Sequence, residues 1–146
     1  MAELWVEVLT SEDALKVPLA KMYEMKKEIY EIRLIIWETR DVALVAGGKV
    51  SIKVKVTFDP TGWPEEMVVK ETDVHMGSKT GWGIFNWRMK FDLTVPCDFP
   101  RLKFTILHSG AFSDESIGES TLNLKRAASK VQKEQFVEVP KSYLNF

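Results

Sequence analysis

The 146-residue sequence has little cysteine and histidine, and this scarcity excludes most enzyme classes. The single cysteine, Cys97, cannot form an internal disulfide, so we expect a reducing environment and an inert, half-buried thiol. His75 and His108 lie in separate segments and show no spacing typical of zinc enzymes. Glycine-rich phosphate loops and nucleophile elbows are also missing. The sequence therefore predicts a protein that is not an enzyme and has no resident cofactor.

Long apolar runs and a strong charge excess are missing as well. No run approaches the roughly 20 residues of a membrane span, and the polar, acidic start does not resemble a signal peptide. The formal net charge of -1 argues against a nucleic-acid partner. A composition of 45% hydrophobic and 28% charged residues is that of one globular domain. Any membrane association of this chain is therefore expected to be peripheral.

Residues 85–93 alternate without a break between apolar and polar side chains, which predicts a β-strand. At about 2 kcal/mol for each large buried side chain, its apolar face is a major part of the core. We expect it to be the central strand of the fold. Its predicted inward residues are Phe85, Trp87, Met89, Phe91 and Leu93.

The same alternation predicts further short strands, separated by turn residues such as Pro60 and Gly62. A late helix is predicted near 124–133, with Asn123 as its N-cap. This pattern predicts an all-β fold, an eight-stranded antiparallel β-sandwich with one short helix. The other predicted strands are residues 4–9, 30–37, 50–58, 68–74, 102–106, 117–124 and 136–139.

Several segments, in the same order along the chain, resemble the C2 domains of the ferlin family. The segments are WVEVL (5–9), YEIRLIIWETRDV (30–42), ETDVH (71–75), GWGIFNWR (81–88) and IGESTLNL (117–124). The first is similar to a segment that precedes one of the later C2 domains of ferlins. The resemblance implies a C2-like Greek key. It divides the chain into an N-terminal strand and linker, residues 1–28, and a C2 domain, residues 29–146.

The resemblance also implies a function in vesicle fusion, exocytosis or membrane repair. Ferlins are large tail-anchored proteins whose C2 domains bind phospholipid under calcium control. The implied partners are anionic phospholipids or phosphoinositide at the cytosolic face of a membrane, neighbouring domains of the parent chain, or other proteins. For this domain the implied membrane association is peripheral.

The calcium ligands that the resemblance implies are mostly missing. Calcium needs about 6–8 oxygen ligands, largely carboxylates, which C2 domains gather from their first and third apical loops. Asp41 matches the first position, whereas Ser51 stands at the second, and Asp114 or Glu115 matches the last. His108 and its neighbours replace the expected Asp-x-Asp motif, and imidazole suits softer metals. We therefore predict a degenerate site that binds calcium weakly or not at all.

A basic surface is the second candidate site. Alternation places basic side chains on the outward faces of residues 50–58 and 85–93, and several C2 domains use such a groove for anionic headgroups. If the two strands share a sheet, the basic side chains form one patch. The alternative is an ordinary solvated face, neutralised by Glu31, Glu71 and Asp92. The candidate residues are Lys49, Lys53, Lys55, Lys70, Arg88 and Lys90.

Loop aromatics are the third candidate. Phe112 lies in the third apical loop, which faces the membrane in the family, so it is the expected insertion residue. Trp63 and Trp82 lie in predicted turns, and we expect both to fold back onto the sandwich. Two hypotheses remain: a calcium-independent module that binds anionic lipid or protein, and a structural C2 domain that packs against its neighbours without touching lipid.

Overall fold

Seven β-strands and one helix make up the part of the chain that the computed structural model describes, residues 6–18, 26–45, 47–139 and 144–146. Short 3-10 turns lie at Asp13–Leu15 and Pro64–Glu66. All strand pairs are antiparallel, and two sheets enclose one core, as the predicted β-sandwich requires. The strands are β1 (Glu28–Thr39), β2 (Val50–Asp59), β3 (Val68–Glu71), β4 (His75–Ser78), β5 (Gly83–Val95), β6 (Arg101–Ser109) and β7 (Asp114–Asn123), and the helix is α1 (Lys125–Glu134).

The central strand is β2. It pairs with β6 on one side and with β3 and β4 on the other, and β7 follows β6. Within the described residues β5 pairs only with β1, so the expectation that residues 85–93 form the central strand is wrong. The deepest core lies on the inward face of β2, where no side chain is more than 2% exposed. These side chains are Val50, Ile52, Val54, Val56 and Phe58.

The edge of this sheet is one extended segment interrupted in the middle. Both β3 and β4 pair with β2, and Thr72 bridges the gap between them. Its backbone N–H donates to Val54 O at 2.9 Å, and its Oγ1 accepts from Val54 N–H at 3.0 Å. The predicted strand at 68–74 is therefore shorter than expected, and β4 occupies part of what the sequence indicated as a turn.

The second sheet is the β1/β5 ladder, which covers the core face of β2. Phe85, Met89, Phe91 and Leu93 are buried as predicted. Trp87 is 37% exposed and lies outside the buried core, so its predicted burial is wrong. The cause is a bulge: the pairing steps from Ile36–Trp87 to Glu38–Ile84, with Asn86 at φ 48°. This irregularity interrupts the alternation from which the burial was predicted.

Helix α1 agrees with the prediction at 124–133. Leu124 and Ala128 are buried against the core. The N-cap position is occupied by Leu124 rather than by Asn123 as predicted, although Asn123 Oδ1 accepts a hydrogen bond from Lys125 N–H at 2.8 Å. The strand predicted at 136–139 is wrong, because these residues pair with no strand in the part of the chain that the structure describes. Residues 6–9 of the predicted strand at 4–9 are not a strand either, and residues 4–5 lie outside the described ranges. Short alternating segments form strands only where a neighbouring strand completes their hydrogen bonds. The domain boundary near residue 28 stays a prediction.

Truncation to alanine should have different effects at Phe91 and Trp87, two of the three aromatic residues of β5. Phe91→Ala should lower the free energy of unfolding by about 3–5 kcal/mol, because it leaves a cavity in a close-packed core. Trp87→Ala should cost clearly less, since part of its ring already faces water. Urea denaturation of both variants measures the difference. Equal losses would mean that Trp87 is a full member of the core.

Candidate functional site

One end of the sandwich gathers the segments that the sequence identified as apical loops. The Val50–Ser78 and Ile52–His108 pairings bring the start of β2 beside the ends of β4 and β6. We call this end of the molecule the apical end. Its loops are residues 40–45 with 47–49, residues 79–82 and residues 110–113.

Ser51 and His108, which occupy two expected ligand positions, contact each other. The backbone N–H of Ser51 donates to Nδ1 of His108 at 3.1 Å. That nitrogen therefore uses its lone pair to hold β2 against β6 rather than pointing freely into the loops. This contact joins residues 57 positions apart, so no local pattern could have revealed it.

Lys53 lies between two carboxylates at the apical part of the outer sheet face. Its ammonium bonds the carboxylate of Asp114 on β7 and lies 2.9 Å from the carboxylate of Glu71 on β3. The Lys53 side chain is only 14% exposed. The hydrogen bond that Lys53 donates to Asp114, aided by the one to Glu71, raises the pKa of Lys53, and the same Lys53–Asp114 bond lowers the pKa of Asp114. A lysine ammonium thus neutralises a carboxylate that the sequence assigned to a calcium site.

The remaining acidic candidates do not join this pair. Asp41 follows β1 with φ 54° and lines a shallow cleft of about 370 Å³ together with Arg40, Thr80 and Trp82. Glu115 is exposed and pairs in register with His108. Across the described residues, no three His, Cys, Asp or Glu side chains come close enough to hold a metal ion.

The basic residues do not share one sheet surface, which corrects the expectation of a single groove. Lys53 and Lys55 lie on β2 in the larger sheet, whereas Arg88 and Lys90 lie on β5 in the other. The sequence could not reveal this, because alternation assigns a face to each strand but not a sheet. Lys53 is also sequestered, so reversing its charge would disturb the fold rather than only the surface.

The other basic side chains have separate environments. Lys90 Nζ lies 3.1 Å from the Glu31 carboxylate. Lys70 donates to the backbone O of Lys90 at 2.6 Å, and its ammonium lies 5.3 Å from the centroid of the Phe91 ring. Lys49 is exposed in the first apical loop. The structure thus brings Lys70 to Lys90 and leaves Lys49 apart, at the apical end.

The loop aromatics are more exposed than expected. Phe112 protrudes fully from the tight 110–113 loop, which Gly110 N–H closes by donating to Ser113 O at 3.2 Å. Trp63 is 68% exposed and Trp82 is 49% exposed, so the expectation that both fold back is wrong. The indole N–H of Trp82 donates to Glu38 at 3.1 Å, which holds the ring at the apical end.

Cys97 and His75, two side chains that could take part in catalysis, lie in packed surroundings. Cys97 is half-buried, and burial, with the nearby Asp98 carboxylate, raises the pKa of its thiol and keeps it protonated. The His75 ring packs edge-on against Phe85 with centroids 6.4 Å apart. The half-buried thiol agrees with the prediction made for Cys97.

Comparison with solved structures identifies the fold. No protein-family model matches the chain. The RIM C2A domain from Drosophila superimposes with a TM-score of 0.50, covering 64% of this chain and 75% of that chain at 13% identity. At this low identity the likeness concerns the fold alone, which is that of C2 domains.

Sequence relatives decide the family. Ferlin 2 of Tetrahymena thermophila is 36% identical over 149 residues and covers 99% of this chain. Ferlin 2 of Toxoplasma gondii is 33% identical over 138 residues and covers 88%. The chain is a ferlin C2 domain. It spans 9% of the length of each of these two ferlins.

Ferlin C2 domains are non-enzymatic modules, which fits the prediction made from the missing catalytic motifs. In the described parts of this ferlin domain, no helix is long and apolar enough to cross a membrane.

The Lys53 ion pairs should give the ferlin domain a defined pH dependence. Because the folded pKa of Asp114 is lowered, its contribution to stability is present above the ordinary value of about 3.9 and is lost as pH falls through the folded pKa. Because the folded pKa of Lys53 is raised, its contribution is present below about 10.4 and is lost as pH rises through the folded pKa. Lys53→Ala should therefore melt below the parent near neutral pH, and the difference should shrink in acid.

Lys55→Ala is the matched control, since Lys55 lies on the same strand face without such an ion pair among the described residues. Its effect should stay within about 0.5 kcal/mol, as for most surface changes. Thermal melts of both variants across pH measure the effect. A Lys53→Ala difference that stayed the same in acid would show that the ion pair does not stabilise the fold.

Proposed function

We propose that this domain is a calcium-independent membrane-trafficking module that binds anionic phospholipid through its apical end. The observation that carries the proposal is the position of Lys53 between Asp114 and Glu71. The parent ferlin, acting in vesicle fusion, exocytosis or membrane repair, would present the domain at the cytosolic face of a membrane. The chain itself is peripheral, and a membrane anchor would lie elsewhere in the parent protein.

Calcium independence rests on charge and ligand number. A calcium ion needs about 6–8 oxygen ligands, and carboxylates supply most of the charge that offsets its dehydration. Here an ammonium group already compensates Asp114, and His108 Nδ1 is engaged by Ser51. An incoming divalent ion would have to displace Lys53 and be repelled by it at close range. Any calcium binding is therefore weak.

Lipid binding rests on the side chains that protrude at the apical end. Phe112 is fully exposed at the tip of one loop, and Leu44 is exposed in another. Burying a side chain of this size in a bilayer yields about 1.5–3 kcal/mol. Lys49 and Lys79 lie in the neighbouring loops, and each lysine close to an anionic surface adds about 1 kcal/mol. Together, the apolar and the electrostatic contributions support reversible, salt-sensitive binding to an anionic membrane.

The lysines at the side of the sandwich have a secondary role in this proposal. Lys70 and Lys90 lie together, with Arg88 further along β5, while Lys55 faces the other sheet surface. A phosphoinositide headgroup would meet only part of this set at once. We therefore propose general anionic phospholipid as the ligand, with these residues adding attraction at longer range.

A second candidate function is domain packing within the parent protein. Ile29 and Ile35 are exposed on the outer face of β1, where a monomeric domain normally carries polar residues. The parent relatives are also about ten times longer than this chain. A neighbouring domain or protein partner that covers this face would explain the two isoleucines without any lipid.

Phe112→Ser should weaken binding to vesicles of phosphatidylcholine and phosphatidylserine, because it removes the most exposed apolar side chain of the apical end. The loss should be roughly tenfold, corresponding to about 1.4 kcal/mol. Co-sedimentation with vesicles, with calcium and with a chelator, measures it. Phe99→Ser is the control, since Phe99 is also exposed but lies at the opposite end. A parent chain that sediments with no vesicle would contradict lipid binding and favour domain packing.

Calcium should leave the melting temperature of the parent unchanged, because a ligand stabilises a protein only by binding its native state. Calorimetric titration should show no site tighter than millimolar. In Lys53→Ala, calcium at millimolar concentration should raise the melting temperature, since Asp114 and Glu71 then lack their shared cation. A micromolar site in the parent, or vesicle binding that needs calcium, would contradict calcium independence.

A further inference from the structure

Helix α1 carries an excess of positive charge on its surface. Four of its ten residues are lysine or arginine, and Glu134 is its only acidic residue. All four cationic side chains are exposed. Among the described residues none of the four forms a salt bridge, whereas Lys53, Arg101 and Lys103 are each paired with a carboxylate. The four cations are Lys125, Arg126, Lys130 and Lys133.

Three of these cations form a line along the solvent side of the helix. Arg126, Lys130 and Lys133 follow the i, i+4, i+7 spacing of one helix face. The other side of the helix packs on the core through Leu124 and Ala128. At about 1.5 Å per residue the line is roughly 10 Å long, so a short peptide segment beside the helix can contact all three side chains. We call Arg126, Lys130 and Lys133 the cationic stripe.

This charge arrangement works against the stability of the helix itself. Lys125 and Arg126 lie in the first turn, where the helix dipole disfavours a cation, and that turn has no acidic residue. Arg126 and Lys130 are a like-charge pair at i, i+4, and Lys130 and Lys133 are another at i, i+3. Departures from local stability rules that gather on one surface are expected at functional sites.

An exposed phenylalanine lies at each end of α1. Phe99 precedes Pro100, whose carbonyl accepts a hydrogen bond from Leu124 N–H at 2.8 Å where the helix begins. Phe136 follows Gln135, the C-cap of the helix. The two phenylalanine side chains are 57% and 75% exposed. Aromatic side chains and arginine are enriched at protein–protein interfaces, so this surface has the composition of a docking site.

The helix begins at the end of the sandwich that lies away from the apical loops. Asn123, the last residue of β7, pairs with Arg101, the first residue of β6, and α1 follows directly. The 110–113 loop joins the other ends of the same two strands. If the apical end meets a bilayer as proposed, the start of α1 is turned away from the lipid. The formal net charge of -1 also argues against nucleic acid, which leaves a protein as the favoured partner.

We infer that the cationic stripe is a docking surface for an acidic segment of a protein partner, with Phe99 and Phe136 as apolar contacts on either side. Carboxylates of the partner pair with the three cations and relieve the repulsion between them. The preference for protein over lipid rests on the proposed function. The domain then uses its two ends for different partners, a membrane at one and an acidic protein at the other.

Fluorescence anisotropy tests the inference on the full chain, with a fluorescein-labelled peptide of glutamate and leucine as the probe. The peptide should bind, and added salt should weaken the binding steeply, because exposed charges are screened. A peptide with glutamine in place of glutamate should not bind. Arg126→Gln with Lys130→Gln and Lys133→Gln should weaken binding of the acidic peptide roughly tenfold, equivalent to about 1.4 kcal/mol.

Lys49→Gln with Lys79→Gln and Arg88→Gln is the matched control, because it removes the same number of exposed cations from other parts of the chain. This control should keep the affinity for the peptide and lose affinity for vesicles that contain phosphatidylserine. The stripe variant should do the reverse. Equal loss of peptide binding in both variants would show that only net charge matters and would overturn the inference.

Thermal melts distinguish docking from a structural role of the stripe. The stripe variant should melt at the same temperature as the parent or above it, because like-charge repulsion along the helix is removed. A clearly lower melting temperature would show that the cations support the fold and would count against docking. If the triple variant does not fold, Lys130→Gln alone should still weaken peptide binding, since Lys130 is exposed.

Failure of this inference and failure of the proposed function give different results. A parent chain that binds vesicles but not the acidic peptide, even at low salt, overturns the docking surface alone. A stripe variant that loses vesicle binding would place α1 against the membrane, and the docking inference would be wrong. A parent chain that binds the peptide through the stripe but binds no vesicle would support docking and contradict the proposed function.

Discussion

The burial of one face of β2 is the constraint on which the rest of the structure depends. This strand hydrogen-bonds on both sides and packs its apolar face under the β1/β5 ladder. The register of β2 therefore determines where all the other strands of the larger sheet lie. A slip by one residue would place Lys53 in the core and Ile52 in solvent. The same alternation that buries Ile52 therefore fixes Lys53 on the outer face, between β3 and β7, where its carboxylate partners lie.

Most of the fold was predictable because the core is built from period-two strands. The inward face of β2 and four inward residues of β5 follow directly from alternation. Trp87 does not, because a bulge depends on how two strands meet and leaves no mark on the pattern of either one. The sheet to which each strand belongs is likewise a matter of pairing between distant segments. For this reason β5 could be recognised as a strand and still be misjudged as central.

The location of the candidate site could be predicted from the sequence, but most contacts between its side chains could not. Resemblance to ferlin C2 domains indicated the apical loops and implied that Ser51 and His108 stand where carboxylates are expected. It could not reveal that these two residues bond each other, since the contact spans 57 positions. One partner of Lys53 is just as remote in the sequence, because Asp114 lies 61 positions away. Alternation alone therefore predicted an unpaired outward lysine, whereas the structure shows it paired. The exposure of Trp63 and Trp82 depends on loop geometry that turn residues alone do not define.

The ammonium of Lys53 is part of the chain, and this has a consequence for how the electrostatic potential of the domain varies with time. A site that captures a divalent ion changes the local charge by two units whenever the ion arrives or leaves, and the potential felt by an approaching bilayer changes with it. A covalently attached cation has a constant occupancy and cannot be diluted or chelated. The apical end of this ferlin domain therefore presents a steady potential. If it binds lipid as proposed, its attraction for a membrane should respond to ionic strength and to the anionic lipid content of the bilayer.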